Sequence, residues 1–193
     1  MLCVAGVLLV SLWLEGEQRE LADDVLRLHV LANSDSEEDQ TLKLAVRDRI
    51  LAESEDILKD VKSREQAGER LQEALAVFAE AGAQTVAAAG YSYPVTISVE
   101  ETWFPTKKYD DFALPAGNYT ALRVVIGEGS GQNWWCVVFP PLCLGAVCEE
   151  VETTAAMAGL SQDEISLITG EDGGYVVKFK LLELWDEWKR RLD

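Results

Sequence analysis

The chain has 193 residues with 34 acidic against 17 basic side chains, a formal charge of −17. That charge repels nucleic acid and anionic headgroups, so nucleic-acid binding is set aside. Apolar residues make up 48% and charged residues 26%, which fits one folded domain and excludes a disordered chain.

The first fourteen residues, MLCVAGVLLVSLWL, carry no charge. As a helix, Leu2–Leu14 would reach about 20 Å, short of a hydrocarbon core of roughly 30 Å. Residues 1–20 are therefore expected to be a signal peptide or an N-terminal membrane anchor, with membrane contact confined to residues 1–14. No Lys or Arg precedes the run, the first being Arg19.

Val25–Leu31 alternates, with Leu26, Leu28 and Val30 on one face and Val25, Arg27, His29 and Leu31 on the other, so it predicts a strand that stops at the turn residues Asn33, Ser34 and Asp35. Ser36 then caps a helix with an acidic first turn, expected to run to about Ala52 with Leu42, Val46 and Ile50 inward and Asp39 paired with Lys43. A second helical stretch spans 63–89, with Gly82 as its expected break and Gly90 as its end.

From Tyr91 the period changes to two. Val95, Ile97 and Val99 alternate with Thr96, Ser98 and Glu100. Tyr119–Ile126 is a strand, and Gly127-Glu128-Gly129-Ser130-Gly131 reads as a hairpin connection to an antiparallel strand Trp134–Phe139, which Pro140-Pro141 must end. Residues 145–173 are weakly patterned and expected to hold a short helix and a loop. Tyr175–Leu182 reads as a last strand and Glu183–Leu192 as a closing amphipathic helix.

The expected fold is a single α+β domain over residues 21–193. Its sheet has about four or five strands, mostly antiparallel, with helices packed on one face.

Catalytic signals are sparse. A nucleophile needs a base within reach, and His29, the one histidine, sits inside a strand. A dyad of Cys136 and His29 is the alternative reading, a thiol-dependent hydrolase. The Gly127-x-Gly129-x-Gly131 run leads into a strand instead of a helix, so it fails as a phosphate cradle. Asn33, Asp35, Glu37, Glu38 and Asp39 lack the glycine and terminal glutamate of a calcium loop and are read as capping. Cys136, Cys143 and Cys148 lack metal-ligand spacing. They are either small buried thiols or include a Cys136–Cys143 disulfide across the Pro-Pro corner. No metal, cofactor or catalytic residue is assigned. The adjacent Trp134 and Trp135 must point to opposite faces of their strand, and with Arg123 they are the candidate partner contacts.

Four strings carry a family resemblance: Arg27–Asp35 continuing through Leu42–Leu44 to Val46–Asp48, Phe104–Lys107 through Leu114–Gly117, Leu122–Gly129, and Asn133–Cys143. On these residues the chain resembles the stage II sporulation protein R family of endospore-forming Firmicutes. The resemblance implies a non-enzymatic signalling protein, exported from the forespore into the space between forespore and mother-cell membranes. Its implied partner is the membrane-embedded aspartic protease that processes pro-sigma-E.

Overall fold

A computed structural model describes residues 19–109, 111–142 and 151–169. The expected signal or anchor, Tyr175–Leu182 and Glu183–Leu192 lie outside the described residues.

The elements run β1 (Leu26–Leu31), α1 (Glu37–Leu58), α2 (Arg64–Glu73), α3 (Leu75–Ala88), β2 (Val95–Phe104), β3 (Lys107–Lys108), β4 (Ala113–Leu114), β5 (Gly117–Ile126), β6 (Asn133–Phe139), α4 (Val151–Met157) and α5 (Gln162–Thr169). Residues 19–24 are helical and lead into β1. The fold is α+β. Its four-stranded sheet has the order β2-β5-β1-β6, with the β2–β5 and β1–β6 pairs antiparallel and β1–β5 parallel.

That order corrects the expected hairpin. β5 and β6 are not neighbours, because β1 lies between them. The glycine-rich connection instead crosses the end of β1 and docks on the turn that follows it. Asn33 Oδ1 accepts from the Glu128 amide at 3.0 Å, and Asp35 Oδ1 accepts from the Gln132 amide at 2.8 Å. Two glycines make room for this contact. A Cβ on Gly127, whose φ is +58°, would meet Asn33 Oδ1 at 2.1 Å, and one on Gly131 would meet the Ser34 carbonyl oxygen at 2.1 Å.

The period-two pattern of β1 sorts the two faces as read. Leu26, Leu28 and Val30 enter a core with Leu42, Val46 and Ile50 of α1, Leu71 of α2 and Phe78 and Val86 of α3. Ser36 caps α1 by accepting from the Asp39 amide at 3.2 Å, and the helix continues past the expected end to Leu58. The expected Asp39–Lys43 pair does not form. Asp39 accepts from Asn33 Nδ2 at 2.8 Å and Ser34 Oγ at 2.6 Å, while Lys43 Nζ donates to the Gln132 carbonyl at 3.0 Å. Both side chains are buried and tie α1 to the turns beside it. The two hydrogen bonds hold the Asp39 carboxyl below its ordinary value.

The second helical stretch breaks at Ala74, not at Gly82. Gly82 sits inside α3 against β2, where a Cβ would come within 2.9 Å of Val95 Cγ1. It serves a close helix–strand approach.

The other sheet face carries a second core that the sequence pattern did not place. Phe104, Tyr119, Ala121 and Val137 meet Leu21, Ala22 and Val25 from the first described turn and Val151, Ala155, Ile165 and Ile168 from α4 and α5. Ser161 and Glu164 form a reciprocal cap at the start of α5. Burial and Glu164 together push the Asp24 carboxyl up to about 6.

Candidate functional site

Four strands build one row of side chains across the second face. Register places Arg123 of β5 and Trp135 of β6 on either side of His29 in β1, and Ser98 of β2 beyond Arg123. Below the row the face is covered by the second core. Above it, Leu31 and Val125 are half-buried and Asn133 is exposed.

His29 is only 5% exposed. Its ring stacks on Trp135 at 3.9 Å between centroids, meets Phe104 edge-on at 5.9 Å, and donates from Nε2 to Asn133 Oδ1 at 2.7 Å. Asn133 Oδ1 can only accept, so the ring proton sits on Nε2. Burial pushes the imidazole below its ordinary value, against the opposing pull of the Asn133 bond, and the Arg123 charge lowers it further. The neutral ring is therefore the form held at neutral pH.

A stability test follows from the sign of this shift. The unfolded ring protonates near pH 6.5 and the folded ring only lower. Between those points the unfolded state binds more protons, so the contribution is complete above pH 6.5 and lost as pH falls. Asp24 acts oppositely, its contribution being present below the ordinary carboxyl value and lost as pH rises through about 6. Between about pH 7 and about pH 5, His29→Gln is expected to lose less stability than the parent chain in urea melts. Equal slopes would mean that ring burial does not set this dependence.

Two residues below His29 on the same face, Arg27 is fully buried. Its guanidinium lies 4.0 Å from the Phe104 centroid and 4.9 Å from that of Tyr119, and it donates to the Tyr109 hydroxyl at 2.6 Å and to the Cys136 carbonyl at 3.4 Å. Among the described residues it forms no ion pair. Arg27, Tyr109 and Asn133 were not picked out from sequence. An arginine in the middle of an apolar alternating strand was the available signal.

The expected contacts fall on different faces. Trp134 packs on the helix side, with the Arg47 guanidinium 4.2 Å from its ring centroid, and so anchors α1 to β6. Trp135 is half-buried on the His29 side. Arg123 is 33% exposed and lies 3.6 Å from Glu100. Trp135, Arg123 and Glu100 thus share an accessible aromatic and charged band.

The Cys136–His29 dyad is ruled out by the sheet. Cys136 pairs with Leu28 and turns into the helix-side core, whereas His29 pairs with Trp135 and faces the opposite side. Cys136 is also disulfide-bonded, which leaves no thiolate there to attack a substrate. Cys3, Cys143 and Cys148 lie outside the described residues, and the expected Cys136–Cys143 pairing falls there with them. No group of His, Cys, Asp and Glu suited to a metal occurs among the described residues.

Residues 22–149 match the family model of stage II sporulation protein R. Stage II sporulation protein R of Bacillus subtilis (strain 168) is 32% identical over 186 residues, covering 88% of this chain and 83% of that protein. The chain belongs to the stage II sporulation protein R family. The span matched to stage II sporulation protein R takes in all four strands of the main sheet and every member of the Ser98–Arg123–His29–Trp135 row. No solved structure matches the chain.

Proposed function

We propose that this chain is the exported signal of endospore formation that activates the membrane-embedded aspartic protease processing pro-sigma-E. It acts by binding, from the space between the forespore and mother-cell membranes. Membership of the stage II sporulation protein R family carries this reading. The separation of Cys136 and His29 to opposite faces supports it, because it removes the competing thiol hydrolase. No helix among the described residues is long and apolar enough to cross a membrane.

The band of Trp135, Arg123 and Glu100 is the contact surface in this reading. A half-buried indole beside a charged pair has the make-up of a binding hot spot. The test is co-expression with the protease and pro-sigma-E in a non-sporulating host. Cleavage is expected to rise with the chain present and to fall about ten-fold or more with Trp135→Ala, while the variant, though less stable, keeps its circular dichroism at the assay temperature. Equal cleavage with and without the chain overturns the function. Full activity of a folded Trp135→Ala moves the contact elsewhere.

A further inference from the structure

We infer that the side chains of Asp24 and Glu164 form a proton-held latch, which seats α5 on the helical turn ahead of β1 and opens when that proton leaves. The inference does not depend on the function proposed above, because it is read from packing and from two carboxyl groups in contact.

The latch joins elements far apart in sequence. Asp24 ends the helical segment 19–24, just ahead of β1, and Glu164 lies in the first turn of α5. Leu21, Ala22 and Val25 beside Asp24 share the second core with Ile165 and Ile168 beside Glu164. Both carboxyl-bearing residues are half-buried and their side chains are hydrogen-bonded to each other.

A hydrogen bond between two carboxyl groups needs a proton on one of them. Glu164 is the acceptor. Its Oε2 already accepts from the Ser161 amide and the Ser161 hydroxyl, both at 2.7 Å, which favours the anion. Asp24 therefore carries the proton. It sits at the end of a helical turn, where backbone carbonyls disfavour a negative charge. The charged groups that face it are Glu164 of α5, Glu65 of α2 and Asp23 of its own turn, and all three are acidic. Below about pH 6 the bond is made, and above it two carboxylates oppose each other. The latch is complete below the ordinary carboxyl value and is lost as pH rises through about 6. Its opening is local, because α4 and α5 have only 7 and 8 residues, whereas β1 is also held by the helix-side core.

The test is amide hydrogen exchange on the full chain at about pH 5 and about pH 7.5, corrected for the intrinsic rate at each pH and repeated in low urea. Protection of the Ile165–Thr169 amides is expected to fall about ten-fold over that range, the most that one proton released near pH 6 can supply. These amides are expected to exchange faster than those of Leu26–Leu31, and with less dependence on urea. Asp24→Asn keeps a donor toward Glu164 at every pH, so its α5 protection is expected to stay level at the parent's pH 5 value. Level protection in the parent overturns the latch. So does a fall that persists in Asp24→Asn, or an Asp24→Asn held at the parent's pH 7.5 value. Exchange of α5 and β1 through one common, urea-dependent event overturns local opening. Pro-sigma-E cleavage is not a readout here, so this proposal and the functional one fail separately.

Discussion

Arg27→Ala is expected to lower stability by roughly 3–5 kcal/mol, and Arg27→Met by much less. The guanidinium is fully buried, stacked over Phe104 and hydrogen-bonded to Tyr109 and Cys136. Alanine removes the packed stem, the ring contact and both hydrogen bonds, and leaves a cavity. Methionine refills most of the volume and carries no charge. It therefore avoids the cost of holding a cation that has no carboxylate partner among the described residues in an apolar site. The cation–π contact and the two hydrogen bonds offset that cost in the parent chain. Urea melts followed by tryptophan fluorescence separate the cases. If methionine is as damaging as alanine, the charge contributes net stability here and the ranking is wrong.

The second large effect concerns one substitution with opposite signs at two sites. Gly131→Ala is expected to cost about 2 kcal/mol or more, because its Cβ meets a backbone oxygen, which cannot rotate away. The Ser130 and Gly131 amides, which now bond the Asn33 and Ala32 carbonyls, would be pushed off the β1 turn. Gly68→Ala, inside α2 with nothing within 4 Å, is expected to stabilise by about 0.5–1 kcal/mol through helix propensity and a less flexible unfolded chain. Midpoints from urea melts check both. A neutral Gly131→Ala would show that the connection can leave β1 without loss.

The sequence was most legible where burial is one-sided. Leu26, Leu28 and Val30 repeat every second residue because one face of β1 meets α1 and α2, and that period survives in the bare string. Ser36 is legible for a similar reason, since a cap is satisfied within its own first turn. The placement of β1 between β5 and β6 was not. A short glycine-rich link favours a hairpin locally, and only the docking of Asn33 and Ser34 onto Gly127 and Gly131 shows that another strand fills the gap. The second core was hidden because α4 and α5 have only 7 and 8 residues, too few turns for a clear stripe. In the candidate site, the opposed directions of Trp134 and Trp135 follow from alternation alone. The box around Arg27 does not, because Tyr109 lies 82 residues away in sequence.

The central position of β1 also sets the order in which the molecule can be assembled. Among the described residues β1 is the first strand to be synthesised, yet its β6 neighbour is more than a hundred residues downstream, as in the Arg27–Cys136 contact across 109 positions. No hairpin joins β1 to either partner, so its pairing must wait for nearly the whole sheet-forming sequence, a topology that slows folding. A chain that emerges from one end through a membrane pore would therefore stay unzipped at its centre until β6 has cleared. Under the export proposed above, late closure of the middle strand would keep the polypeptide threadable during passage and postpone the native fold to the far side.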